Sequence, residues 1–152
     1  MKSNALNSLL NTQAGLAALI LRVPVGIILA AHGAQKLFGW FSGYGLEGTG
    51  QWMASIGLEP GYWMALLAGS AEFFGGVALV LGVFTRLAAV SAVITMLVAI
   101  VTVHLSQGFF MSNNGYEYAL ALMAASGALL VQGAGSWSLD YWLADRLQRR
   151  QA

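Results

Sequence analysis

Residues 62–105 read YWMALLAGSAEFFGGVALVLGVFTRLAAVSAVITMLVAIVTVHL. This stretch contains two long apolar segments, and only Thr85 and Arg86 separate them. A helix of about 20 apolar residues crosses the ~30 Å hydrocarbon core of a bilayer. We therefore predict two membrane-spanning helices, at about 62–84 and 87–105, which lie antiparallel because the turn between them is so short.

The same criterion predicts two further spans, at about 16–38 and 116–131. The connection after the first span is rich in glycine and aromatic residues, and we predict one short interfacial helix in it, from Gln51 to Ile56. Residues 136–150 have the pattern of an amphipathic helix that lies on a membrane surface. The predicted fold is an all-α membrane protein, a four-transmembrane-helix bundle that forms a single domain over residues 1–152.

Composition agrees with a membrane protein. The chain of 152 residues is 58% hydrophobic and 9% charged, whereas a soluble domain is typically about 25% charged. The absence of cysteine excludes disulfides, thiol redox centres and thiolate metal sites. No basic patch or nucleic-acid-binding motif is present, so we expect no nucleic-acid partner. We predict no removable signal peptide in the first 15 residues.

The distribution of basic residues predicts the orientation. Lys2, Arg86 and the three arginines of the C-terminal segment flank one side of the predicted spans, whereas connections 39–61 and 106–115 contain neither lysine nor arginine. Cytoplasmic loops carry the excess of positive charge. We therefore predict that both termini are cytoplasmic (N-in/C-in) and that the chain crosses the membrane several times.

Six ionisable residues lie within the predicted spans or at their rims. A charge at the bilayer centre costs at least about 2.5 kcal/mol on insertion scales, so such residues usually face the interior and mark function. Every predicted span contributes at least one of them, which suggests a shared polar site. The six are Arg22, His32, Lys36, Glu72, His104 and Glu117.

Depth along the helices divides these residues into two groups. Arg22 and Glu72 are predicted to pair in the inner part of the membrane. The other four are predicted to gather in the outer half. Gln35 lies three residues from His32, and Lys36 lies four residues from it, so these three side chains share one face of the first helix.

Each residue also has a purely structural interpretation. Arg22 and Glu72 are also explained as an ion pair that joins two helices. Lys36 is also explained as a side chain extending to the head groups. His104 and Glu117 fit a hydrogen bond at the membrane rim, and His32 fits a neutral histidine bonded to another helix. Connection 39–61 fits either an interfacial anchor or a lid over a site.

Two motifs resemble the DoxX family of small bacterial inner-membrane proteins. They are HGAQKLFG, from His32 to Gly39, and AEFFGGVALVLGVFTR, from Ala71 to Arg86. The closing GAGSWSLD, from Gly133 to Asp140, resembles the family as well. The resemblance implies four membrane helices in a multi-pass protein of the bacterial cytoplasmic (inner) membrane. It also implies a link to thiosulfate:quinone oxidoreduction, to oxidative-stress oxidoreductase complexes, or to resistance against catechols and quinones.

The leading functional hypothesis is therefore a component of a quinone-linked membrane oxidoreductase. The expected catalytic residues are His32 and His104 as hydrogen-bond donors or proton carriers, and Glu72 and Glu117 as proton relays. Arg22, Gln35 and Lys36 are the expected substrate-binding residues, with Arg22 as the charge partner of Glu72. The expected partners are the lipid bilayer, a quinone or other small aromatic ligand, and a soluble redox protein, and the sequence also allows an oligomer.

Two alternatives stay open. His32 and His104 suit axial ligation of a haem, and together with Glu72 and Glu117 they suit a transition metal, although no diagnostic metal motif is present. The other alternative is a protein without enzymatic activity, either a membrane anchor for redox partners or a small-molecule carrier.

Overall fold

The computed structural model describes residues 15–149, and predictions that concern residues 1–14 and 150–152 lie outside that range. The described residues are mostly helical and contain no β-strand. The helices are α1 Leu16–Phe38, α2 Gly45–Ser55, α3 Gly61–Leu81, α4 Thr85–Ala99, α5 Glu117–Gln132 and α6 Leu139–Arg149. After Ala99 the chain continues α4 as a π-helix, Ile100–His104, and then as a 3₁₀ turn, Leu105–Gln107.

Three helical segments are long and apolar enough to cross a membrane. They are α1, α3 and the continuous segment Thr85–Gln107 that α4 begins. This result confirms the prediction of apolar membrane helices. Helix α5 is apolar but has only 16 residues, so the count of four spans stays a prediction.

The turn between α3 and α4 is one residue longer than the sequence predicts, because glycine ends α3 early. Gly82 adopts a left-handed conformation with φ of 65°, which glycine reaches without steric cost. The N–H groups of Gly82 and Val83 bond back to Leu79 and Ala78. Helix α3 therefore ends at Leu81 rather than at residue 84, and α4 begins at Thr85.

Glycines bring α1 and α3 into close contact. A Cβ atom on Gly26 would lie 2.6 Å from the carbonyl oxygen of Gly76, and one on Gly33 would overlap the backbone nitrogen of Phe73. Small residues allow this approach of backbones between membrane helices. The α1–α3 contact is the most extensive in the molecule, so it fixes how the side chains of these two helices face each other.

The remaining contacts arrange the helices around a common interior. Helix α3 packs on α4, α4 packs on α5, and α5 returns to α1. Helix α2 packs on both α3 and α1. A helix is thus present where the sequence predicts the interfacial helix at 51–56, although it begins six residues earlier, at Gly45, and ends at Ser55.

Candidate functional site

A cavity of about 790 Å³ lies between α1, α3, α5 and the C-terminal part of α4 with its π-helix. We call it the main cavity. Tyr44, Trp52 and Met53 cover it from α2 and the residue before α2. Its wall is mostly apolar and is interrupted by nine polar side chains. These are His32, Lys36, Tyr44, Glu72, Thr95, Thr102, His104, Asn114 and Tyr118.

An ion pair stands on the wall of the main cavity. The Nζ of Lys36 lies 2.6 Å from Oε2 of Glu72. The side chain of Glu72 is 4% exposed and that of Lys36 is 23% exposed, so the lysine is the water-accessible member. The close α1–α3 packing brings the two together, since Lys36 lies in the last turn of α1 and Glu72 lies in the middle of α3.

The predicted pair of Arg22 and Glu72 is wrong, because Arg22 bonds to backbone instead. Its Nε donates to the carbonyl of Ala134 at 3.2 Å, and Nη1 donates to Leu79 at 2.8 Å and to Val80. Its Nη2 donates to Trp137. Arg22 is 2% exposed, so these carbonyls replace the water that a guanidinium would otherwise bind.

Arg22 therefore has no place in the main cavity. Its carbonyl partners lie at the end of α3 and in the segment between α5 and α6, whereas the cavity lies beside the other end of α1. Arg22 holds this segment, Gly133–Ser138, against α1 and α3. We call the segment the C-terminal strap.

Asp140 lies in the first turn of α6, directly after the strap. It is the last residue of the motif GAGSWSLD, but the sequence assigned it no role of its own. It is 1% exposed. Its carboxylate accepts hydrogen bonds from the N–H groups of Phe84 at 2.7 Å and Thr85 at 2.9 Å. It thereby caps the N-terminus of α4 from a distant helix. The signal in the sequence is an acidic residue in the first turn of an amphipathic helix, which is far too common to be specific.

His104 reaches the main cavity through an irregular helical turn. It is the last residue of the π-helix, a form that is rare and frequently found at functional sites. Its Nδ1 lies 2.7 Å from the backbone oxygen of Asn114. Since a carbonyl oxygen only accepts, Nδ1 carries the proton. On α1, His32 faces Tyr118 of α5 with 6.5 Å between the ring centroids.

The structure places the last two predicted site residues outside the main cavity wall. Glu117 accepts a hydrogen bond at 2.6 Å from the N–H of Met111 and so orders the loop before α5. Gln35 donates to the carbonyl of Phe41 at 3.2 Å. Gln35 lines a second cavity of about 460 Å³, the side pocket, which shares Lys36, Tyr44 and Trp52 with the main cavity.

The chemistry of the wall suits a small, mostly apolar ligand with a few polar groups. Lys36 donates hydrogen bonds, Glu72 accepts them, and histidine carries protons near neutral pH. Within residues 15–149, no group of three or more His, Cys, Asp or Glu side chains is placed to hold a metal ion. A mostly apolar cavity with a few convergent polar groups is the usual form of a small-molecule site.

Known proteins with similar sequences bear on the identity of the chain. It is 38% identical over 120 residues to the Bacillus subtilis (strain 168) protein named "Putative oxidoreductase CatD", covering 79% of this chain and 83% of that protein. It is 30% identical over 148 residues to "Uncharacterized membrane protein Rv3486" of Mycobacterium tuberculosis, covering 91% and 88%. A Haemophilus influenzae protein, "Uncharacterized protein", is 39% identical over 62 residues, or 41% of each chain. No solved structure matches.

The family comparison agrees with the motifs in α1 and α3. The family model DoxX matches residues 17–105, which include α1, α2, α3, α4 and His104. This range is more than half of the 152 residues, and it includes three of the four helices around the main cavity. The chain belongs to the DoxX family.

Proposed function

We propose that this protein is the ligand-binding component of a quinone-linked membrane oxidoreductase, with the main cavity as its site. One observation carries the proposal: a mostly apolar cavity of about 790 Å³ has His32, Lys36, Glu72 and His104 on its wall. Such a combination of apolar surface and few polar groups is typical of small-molecule sites. The name of the Bacillus subtilis relative, an oxidoreductase, supports the same class of reaction.

The residues of the cavity fit an aromatic redox ligand. The ring system needs apolar walls, and buried Leu29, Met96 and Leu122 provide them. Its oxygen atoms need hydrogen-bond donors, which Lys36 and His32 supply. A quinone exchanges electrons together with protons, so the site also needs proton carriers. His32, His104 and Glu72 take that role in the proposal.

The proposal gives the remaining predicted residues other tasks. Gln35 and Lys36 lie on the side pocket, where they meet a ligand that approaches the main cavity. Arg22 holds the C-terminal strap, and Glu117 orders the loop before α5. Neither of these two residues contacts the ligand in the proposed site.

We further infer that α5 is a fourth span and that both termini are cytoplasmic. Helix α5 is about 24 Å long at 1.5 Å per residue, and the strap that follows is buried from Gly133 to Gly135. Non-helical backbone is tolerated at membrane depth where protein surrounds it. The basic residues Arg146 and Arg149 then lie on the cytoplasmic side of the bacterial inner membrane.

Exposed Trp137, Tyr141 and Trp142 lie close to these arginines in the sequence. Aromatic side chains next to arginines are typical of a helix that lies on a membrane surface. The same surface of α6 could instead bind a soluble electron donor.

Ligand binding tests the proposal directly. The full chain is purified, reconstituted in nanodiscs and titrated with duroquinone while tryptophan fluorescence is recorded. Trp52 lines the main cavity, so we expect saturable quenching that Trp52→Phe largely removes. Trp142→Phe, on α6 away from the cavity, is the matched control. It should leave the amplitude of the saturable quenching by duroquinone unchanged.

Two results would contradict the proposal. Quenching without saturation would mean that duroquinone only partitions into the lipid. Saturable quenching that survives in Trp52→Phe and is lost in Trp142→Phe would place the binding site near α6 instead of in the main cavity.

A further inference from the structure

We propose that the main cavity binds the reduced, hydroxyl-bearing form of an aromatic redox compound more tightly than the oxidised quinone form. The inference rests on the proposed function and adds to it which redox state the wall recognises. The preference follows because several polar side chains of the wall already use their protons in hydrogen bonds within the protein. These side chains therefore offer the ligand acceptors rather than donors.

Glu72 offers the ligand only an acceptor. Its Oε2 already receives a hydrogen bond from Lys36. A carboxylate paired with an ammonium group has no proton to donate, and its two oxygens retain further acceptor sites. Since Glu72 is 4% exposed, a donor from the ligand would reach it without competition from bulk water.

Two threonines of the wall are acceptors for the same reason. The hydroxyl of Thr95 donates to the carbonyl of Ser91 at 2.8 Å, and that of Thr102 donates to the carbonyl of Val98 at 2.7 Å. Each hydroxyl has a single proton, which it donates in the hydrogen bond to the backbone carbonyl of its own helix. What each oxygen still presents is a lone pair.

His104 completes the set. Its Nδ1 carries the proton that bonds to the backbone oxygen of Asn114 at 2.7 Å. In the neutral imidazole the other nitrogen, Nε2, is then an acceptor. Four of the polar side chains on the wall thus present acceptors, and they come from α3, α4 and the π-helix.

Lys36 is the principal donor on the wall, and it uses one of its three protons on Glu72. His32, Tyr44, Tyr118 and the side-chain amide of Asn114 are able to donate or accept. Quinone oxygens only accept, so they would face Glu72, Thr95, Thr102 and His104 without making hydrogen bonds. Hydroquinone and catechol hydroxyls donate and also accept, and therefore satisfy both Lys36 and the acceptors.

Preferential binding of the reduced form has an electrochemical consequence. Reduction of a quinone to a hydroquinone takes up two electrons and two protons. Each tenfold preference for the reduced form therefore raises the midpoint potential of the bound couple by about 30 mV. A protein with this preference makes its bound ligand a better electron acceptor than the same compound in the lipid.

The test compares one compound in its two redox states. Duroquinone and durohydroquinone are titrated anaerobically by calorimetry into the full chain in nanodiscs. We expect durohydroquinone to bind at least about tenfold more tightly, the effect of one or two hydrogen bonds to charged or polar acceptors. The midpoint potential of the bound couple should rise accordingly.

Variants identify the residues responsible. Thr102→Val removes an acceptor without changing the size of the side chain, and Thr102→Ser restores it. Thr102→Val and Glu72→Gln should each reduce the preference severalfold. Thr102→Ser and the remote control Asp145→Asn, on the exposed side of α6, should leave it unchanged.

The outcomes separate this inference from the proposed function. Equal or tighter binding of duroquinone would overturn the preference and leave the quinone-binding proposal intact. A preference that persists in both Thr102→Val and Glu72→Gln would also overturn it, because the acceptors named here would not be its cause. Failure of both compounds to bind would reject the two proposals together.

Discussion

The ammonium group of Lys36 lies 2.6 Å from the carboxylate of Glu72, and this contact joins α1 to α3 on the wall of the main cavity. The two members differ in access to water, since Lys36 also lines the side pocket and Glu72 does not. The pair is therefore both a structural link between two helices and the charged part of the candidate site.

The ion pair predicts an asymmetry between its two single variants. Lys36→Met leaves a buried carboxylate without a partner, and we expect a loss of about 3 kcal/mol in the free energy of unfolding. Glu72→Gln should cost less, because Lys36 can turn towards the side pocket and Gln still accepts a hydrogen bond. Denaturation in mixed micelles measures both values. Equal losses would contradict the asymmetry, and a double variant whose loss is the sum of the single ones would show that the two side chains do not act as a pair.

The hydrogen bonds of Arg22 to four backbone carbonyls should make arginine strongly preferred at this position. Lysine has three donors on one atom and cannot reach carbonyls in four residues at once. Arg22→Lys should therefore destabilise the protein by about 2–3 kcal/mol and expose the amides of the strap to hydrogen exchange. The control is Arg149→Lys on the exposed end of α6. Unchanged exchange at residues 133–138 in Arg22→Lys would contradict the role of Arg22.

Asp140 caps the N-terminus of α4, and we expect the stability that this cap provides to depend on the charge of its carboxylate. Asp140→Ala removes both hydrogen bonds to the N–H groups that begin α4 and should cost about 2 kcal/mol. Asp140→Asn keeps one acceptor and should cost about half as much. Asp145→Ala is the matched control, because Asp145 lies on the same helix and pairs with Arg149 at the surface. The idea fails if the three variants unfold at the same temperature.

The glycines of α1 and α3 predict where added methyl groups are tolerated. Gly33→Ala would force the two backbones apart at Phe73, and Gly26→Ala would do so at Gly76. We expect each to cost about 1–3 kcal/mol. Gly127→Ala on α5 meets no atom within 4 Å and should be neutral or stabilising by about 1 kcal/mol. Thermal unfolding of the three variants compares them, and a destabilised Gly127→Ala would argue against close packing as the cause.

The orientation of the chain is tested by labelling, which the absence of cysteine makes simple. Single cysteines are introduced at exposed Gln51, Asn113 and Gln148. In intact spheroplasts, we expect a membrane-impermeant maleimide to label Gln51→Cys and Asn113→Cys, and to label Gln148→Cys only after lysis. Labelling of Gln148→Cys before lysis, together with Gln51→Cys, would reject an even number of spans.

Much of the architecture follows from the sequence because the governing property is local. Long apolar segments must be helical in a bilayer, since only internal hydrogen bonds satisfy their backbone. The positions of α1, α3 and α4 are therefore predicted within a few residues. The cost of a charge in lipid likewise selects His32, Lys36, Glu72 and His104 as interior residues from the sequence alone.

The tertiary structure alone decided which of these residues meet. A shift of one residue turns a side chain by about 100° around its helix, so similar depth in the membrane does not identify a partner. Lys36 reaches Glu72 because glycines let α1 and α3 approach. Arg22, which carries the same positive charge as Lys36, bonds instead to backbone carbonyls up to 115 residues away. Because every residue supplies a backbone carbonyl, such a partner has no signature in the sequence, and only the folded chain shows it.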